Sequence, residues 1–335
     1  MKTVGLRKLT TSWTLLMWQY KGGGQMRFFD LHCDTITKCC GEKMELYDNE
    51  MSISICKGKY LDKWCQLFAI WMPDDLRGQD AIDYFDENYN YFCSQIEKNS
   101  SYIKQCRTSV DLNECIEGNK NAAILAVEGG SAAAGSLDRL DYLGSLGVKV
   151  ITLTWNGSNE IGHGSRSSCD DGLTHFGKTF IRHMEEKKII VDVSHLNENG
   201  FFDVAKTIDA PFIASHSDCD AVRSCPRNLS DEQLKLLIER NGLCGINFCD
   251  YFLSEDDNNG LEAVCRHVSH ILDIGGENIL SLGSDFDGCN INPEMDSIDK
   301  MPAMYDYLLG RGFGKKTVDA LFFDNAYRFF STLKD

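Results

Sequence analysis

The chain has no apolar run approaching the roughly 18 residues that a membrane span requires, so no segment is expected to cross a bilayer. Its 15 cysteines include no Cys-x-x-Cys pair, and they are an odd number in a chain too long to need disulfide staples. They read as reduced thiols, which points to the cytoplasm. No Gly-x-Gly-x-x-Gly follows a candidate strand, which removes the usual cradle for a dinucleotide. Positive charge is in deficit, with 34 basic against 50 acidic residues and a formal net charge of -16. Such a surface repels nucleic acid and anionic membrane, and leaves a small molecule or peptide as the expected partner.

Nor does any linker or shift of composition divide the chain. At 335 residues and 43% hydrophobic it can bury one large core. Only the first 25 residues stand apart. Lys2, Arg7 and Lys8 ahead of Trp13-Thr14-Leu15-Leu16-Met17-Trp18 outline a signal peptide, but the apolar core is short and no small-x-small cleavage site follows. Residues 1–25 therefore read as a non-native or disordered extension before a natural start at Met26, and residues 26–335 as one domain.

What the chain does contain is a series of short apolar runs that end in polar groups. Arg27-Phe28-Phe29-Asp30-Leu31-His32-Cys33-Asp34 is the first; as a strand it turns His32 and Asp34 to the same face. Further runs at 65–72, 122–127, 149–154, 189–193, 211–214, 243–248 and 279–284 are apolar enough for strands covered on both faces. Between them lie helical patterns, such as Ile82, Phe85, Tyr89, Phe92 and Ile96 on one face, and a capping box at Ser230–Gln233. Residues 35–65 show no clean period and read as an irregular connection. The alternation predicts a (β/α)₈ TIM-type barrel, with a doubly wound open sheet as the rival. The barrel is favoured because polar groups end the first, third, fifth, sixth and eighth strands, which only a closed sheet brings to one rim.

Those groups have a metal-binding character. Glu128 leads into Gly129-Gly130, while His195 and His216 each follow a strand by one serine and lie 21 residues apart, one βα repeat. Mixed imidazole and carboxylate donors suit Zn²⁺ better than Mg²⁺. His175, His183, His267 and His270 fall on helical segments and read as packing or surface residues.

Taken together, Asp30-x-His32-x-Asp34, Glu128-Gly129-Gly130, Thr152-Leu153-Thr154-Trp155-Asn156, Asp192-Val193-Ser194-His195, Ser215-His216-Ser217, Pro226-Arg227-Asn228 and Gly283-Ser284-Asp285-Phe286-Asp287-Gly288 resemble the membrane (renal) dipeptidase family of zinc peptidases, in a bacterial-type form, within the amidohydrolase-like metal barrels. The resemblance runs from about Phe28 to the C-terminal helix. It implies two Zn²⁺ per chain, one on His32 and Asp34, the other on His195 and His216, with Glu128 bridging both. It implies hydrolysis of small dipeptides, L-D dipeptides included, by a hydroxide shared between the metals, and a homodimer. Asp285 would carry the proton, with Asp287 as the competing choice, and Arg227 would clamp the substrate carboxylate. Trp155 stands where mammalian members have a histidine thought to contact substrate, and Asn156 or His163 is a candidate for the missing donor. Two other readings stay open: a different binuclear amidohydrolase acting on N-acyl amino acids or lactams, and, ranked last, a non-catalytic metal-binding module.

Overall fold

The computed structural model describes residues 26–255 and 260–331. The expectations for residues 1–25 and for a start at Met26 rest on residues outside that range. Among the described residues nine strands form one wholly parallel sheet: β1 (Arg27–Cys33), β2 (Lys63–Trp71), β3 (Ile103–Gln105), β4 (Asn121–Glu128), β5 (Val148–Thr152), β6 (Ile190–Asp192), β7 (Ile213–Ala214), β8 (Leu243–Ile246) and β9 (Leu280–Leu282). β2 pairs directly with β4, and β9 returns to β1, so eight of them close into a barrel and the open-sheet alternative falls. The ninth, β3, sits beside the first half of β4, where Ile103 pairs with Asn121, and gives way to β5 further along.

The first strand is not regular. Asp30 pairs with Gln66 but Cys33 pairs with Phe68, so β1 carries one more residue than β2 over the same stretch. Such a bulge re-aims side chains at a barrel rim. His32 and Asp34 do reach one site, as strict alternation predicts, but Asp30 does not join them. It turns to Gln66 and Ser284 instead.

Residues 35–65, expected to be irregular, hold two helices, Thr35–Glu42 and Ile55–Gly58. The first buries Thr35, Ile36, Thr37 and Cys39, so its inner face is built of small half-polar residues that give no hydrophobic period. The Ser230–Gln233 capping box is present at the head of the helix Asp231–Glu239.

The last helical stretch explains how the barrel is stoppered. Lys315–Asp319 and Asn325–Ser331 are joined by a π-helical turn, Ala320–Asp324. Within that turn Phe322 meets Phe28 at 6.2 Å, while Phe323 meets Phe29 at 6.1 Å. Phe330 stacks on Phe29 at 5.3 Å, and both belong to the cluster that includes Leu67, Ala126, Val150 and Leu243 of the barrel strands. The amino-terminal mouth is thereby filled with aromatic side chains, and truncating Phe29 to Ala would cost about 3–5 kcal/mol. The opposite rim is left for chemistry. Among the described residues no helix is long and apolar enough to cross a membrane.

Candidate metal centre

At the carboxyl rim five side chains from four strand ends converge in a buried cluster. His32 Nε2 lies 3.5 Å from Asp34 Oδ2 and 3.5 Å from Glu128 Oε2. The other oxygen of the same carboxylate, Glu128 Oε1, lies 2.8 Å from His195 Nε2 and 3.4 Å from His216 Nε2. Glu128 therefore faces the two halves of the cluster with different oxygens. Asp285 Oδ1 approaches His32 Nε2 at 4.0 Å and completes a second group with His32 and Asp34.

Local structure explains these placements. Asp34 N donates to Phe286 O at 2.9 Å, which ties the end of β1 to the loop after β9 and brings Asp285 beside Asp34. Gly288 then passes so close that a Cβ there would stand 2.1 Å from Asp34 Oδ2 and 2.4 Å from Asp285 Oδ1. His195 and Asp285 both sit in the left-handed region, at φ 67° and 60°. Strain of this kind persists where surrounding structure over-determines it, and it gathers at functional sites.

Two buried aspartates supply that over-determination, and neither was assigned a role from the sequence. Asp192 accepts from Ser194 N and Ser215 N through one oxygen and from Thr152 Oγ1 and Ser215 Oγ through the other. Since Ser215 Oγ gives its proton to Asp192, it accepts from His216 Nδ1–H at 2.7 Å. Asp30 does the matching work across the barrel, accepting from Ser284 N and Oγ, one residue before Asp285, and from Gln66 Nε2. An acidic residue inside an apolar strand was the available signal, because unpaired carboxylates are almost never buried.

The tautomers follow from these bonds. His195 Nδ1–H donates to Asn156 Oδ1 at 3.1 Å, so His195 and His216 both present bare Nε2 atoms, and these face each other at 2.9 Å. Two imidazole lone pairs so close repel unless a cation stands with them. His32 Nε2 and Asp34 Oδ1 are buried with no hydrogen-bond partner. Buried polar atoms left open in this way call for an ion, and three imidazoles with two carboxylates suit zinc. The carboxylates draw positive charge into the cluster, in the form of a proton where no cation stands: burial would push His32 down, but Glu128 and Asp34 outweigh it and hold it well above the ordinary imidazole range, and a metal would take that proton's place. Burial drives His195 and His216 well below that range, with Arg227 and His32 adding to it. Glu128 is raised to about 7 by burial and by Asp34.

Arg227 is buried beside this cluster. Its Nη2 donates to His216 O at 2.9 Å and its Nη1 to Ser217 Oγ at 3.3 Å, its Nε has no partner, and Phe252 lies 5.2 Å beneath the guanidinium. Among the described residues it has no carboxylate partner in an ion pair. Asp285 and Asp287, the preferred and the competing choice from the sequence, part company here: Asp287 accepts from Thr35 Oγ1 at 2.5 Å and Ser52 N at 2.8 Å, away from the cluster. Trp155 packs edge-on against Trp71 at 5.0 Å and lies 6.3 Å from His195. Asn156 commits its carbonyl to His195, and His163 is held by Ser158 Oγ at 2.7 Å in the connection between β5 and the helix His175–Glu186.

A closed parallel barrel with such a cluster at its carboxyl rim is a metal-dependent hydrolase barrel. The sequence pattern of the membrane dipeptidase family (peptidase family M19) matches residues 24–335. The chain belongs to that family and is a metallo-dipeptidase. It resembles the metallo peptidase from Rhodobacter sphaeroides liganded with a phosphinate mimic of the dipeptide L-Ala-D-Ala, with TM-score 0.87, 26% identity, and 93% of this chain and 100% of that one covered. A second solved structure, the dipeptidase AC of family M19, gives TM-score 0.87 and 28% identity over 92% of this chain and 99% of that one. An uncharacterized protein in the pqqA 5' region of Klebsiella pneumoniae is 30% identical over 259 residues, 74% of this chain and 96% of that protein.

Proposed function

We propose that the enzyme works with two zinc ions, held by His32 and Asp34 on one side and by His195 and His216 on the other, with Glu128 between them. The observation that carries this is the pair of opposed, bare Nε2 atoms beside a carboxylate that faces both halves. When bound, the metals supply a water of lowered pKa and polarise the scissile carbonyl. The protein supplies the rest. Asp285, raised by burial and by Asp34, takes the proton released by the attacking water and passes it to the leaving nitrogen. Arg227 offers a buried guanidinium, open at Nε, to the terminal carboxylate of a dipeptide. Recognition of the carboxyl-terminal residue through its carboxylate rather than its side chain favours acceptance of a D-residue there, in keeping with the ligand of the Rhodobacter sphaeroides enzyme. All 15 cysteines are free, which supports a reducing, cytoplasmic setting. A homodimer rests on the family resemblance alone.

The test is kcat/KM for an L-L dipeptide, its L-D partner, its amide and a tripeptide, in wild type and Arg227→Ala. Amide and tripeptide should fall by about 10² or more, and Arg227→Ala should lose a similar amount on free dipeptides only. Equal cleavage of all four substrates would favour the broader amidohydrolase acting on N-acyl amino acids or lactams.

A further inference from the structure

We propose that Asn247 is a positioning residue for Asp285, an inference that rests on reading Asp285 as the proton carrier. Asn247 directly follows β8 and is fully buried. Its amide can be oriented in only one way. Cys249 N–H needs an oxygen, and Asn247 Oδ1 accepts from it at 2.7 Å. The amide nitrogen must then point the other way, where Nδ2 donates to Asp285 Oδ2 at 3.1 Å and reaches His216 O at 3.4 Å. Asn247's own N–H donates to Asp218 Oδ1 at 3.2 Å, so the backbone that carries the amide is fixed as well.

Asp285 needs such a tether. It stands in the left-handed region just beyond the end of β9, where the regular strand no longer sets its side-chain direction. With Oδ2 facing an N–H, a proton on that oxygen would meet a donor rather than an acceptor. Oδ1 is left as the oxygen that gives and takes the proton, and it is the one that faces His32 and Asp34. The asparagine therefore selects one of two chemically equal oxygens and aims it. Asparagine suits the task because it has a donor for Asp285 and an acceptor for Cys249 on one rigid plane, and no charge of its own.

A double-mutant cycle separates aiming from general structural support. Asn247→Leu in the otherwise wild-type holoenzyme should lower kcat by about 10–100-fold, with KM for a dipeptide within about twofold and metal content unchanged. In an Asp285→Asn background, assayed at high enzyme concentration, the same substitution should change kcat by less than about threefold, since there is no longer a proton carrier to aim. Asn247→Ala serves the same cycle if the leucine does not fit. Equal losses in both backgrounds, or a loss that appears in KM or in bound metal, would overturn the proposal. If Asp285→Asn is inactive while Asn247→Leu and Asn247→Ala turn over like wild type, the proposal fails and the reading of Asp285 stands. If Asp285→Asn itself keeps wild-type turnover, both fail together.

Discussion

Buried histidines occur in two regions of this molecule, and they are buried for opposite reasons. His267, on the helix Gly260–Asp273, is completely covered, and both ring nitrogens are satisfied: Cys219 N–H donates to Nδ1 at 3.1 Å and Nε2–H donates to Leu253 O at 3.0 Å. His32 at the barrel rim is 2% exposed, and its Nε2 has no hydrogen-bond partner. Burial alone does not separate them. Open valence does, because a fold that has no use for a buried nitrogen satisfies it. The rim histidines have their Nδ1 or backbone groups tied down by asparagine and serine, while all three Nε2 atoms turn to the Glu128 carboxylate.

Removal of metal gives the largest contrast. Chelation should abolish dipeptidase activity and metal replacement should restore it, and His32→Ala should lose both activity and metal, whereas His267→Gln should keep both. Elemental analysis alongside turnover checks this; full activity with under one equivalent of transition metal would break the comparison. Next comes Asp285→Asn, expected to lower kcat by about 10²–10⁴ with metal retained. Asp287→Asn should leave turnover near wild type, because Asp287 is occupied by Thr35 and Ser52. A smaller effect belongs to Asp192→Asn, which puts an amide nitrogen among four donors and loosens Ser215 and hence His216. Metal affinity, read by competition with a chelator, should fall about 10–100-fold.

The sequence exposed the parts of this design that repeat. All eight barrel strands were visible as apolar runs, because a strand covered on both faces has no alternation to hide it. β3, Ile103-Lys104-Gln105, was missed, since three residues of which one is apolar carry no pattern. The helix Thr35–Glu42 was missed because threonine and cysteine pack its inner face. At the site, the residues that converge at the rim, His32, Asp34, Glu128, His195 and His216, were legible from their place at strand ends. Asp285 was preferred over Asp287 as the first of the two after the strand and by resemblance; the physical difference lies in their partners, which the sequence does not show, since both follow β9 and both have positive φ. Asp30 and Asp192 stood inside quoted motifs, yet which carboxylate faces the site and which anchors the neighbouring strand depends on a bulge and on tertiary hydrogen bonds. Asn247 gave no signal, since a buried asparagine looks like any other until its two partners are known.

The smallest effect at neutral pH, and the one that sharpens the contrast most, concerns the histidine with no part in catalysis. Burial lowers His267 from 6.5 to about 4, with the Leu253 carbonyl opposing the shift. A proton on Nδ1 would set one N–H against that of Cys219, so the fold accepts only the neutral ring. The folded pKa lies below the unfolded one, so below pH 6.5 the unfolded chain binds a proton that the native state refuses. This stabilising term is whole above pH 6.5 and is lost as pH falls toward 4, at about 1.4 kcal/mol per pH unit. Between pH 6.5 and 5 the wild type should lose on the order of 2 kcal/mol through this residue. His267→Gln, which can place an oxygen on the Cys219 side and an amide N–H on the Leu253 side, should remove that slope while leaving kcat and metal content at pH 7 unchanged. Urea unfolding of both proteins at half-unit steps from pH 5 to 7.5 measures the difference. Parallel stability curves would show that the two backbone bonds do not hold His267 neutral, and would erase the distinction drawn between the satisfied histidine and the open ones.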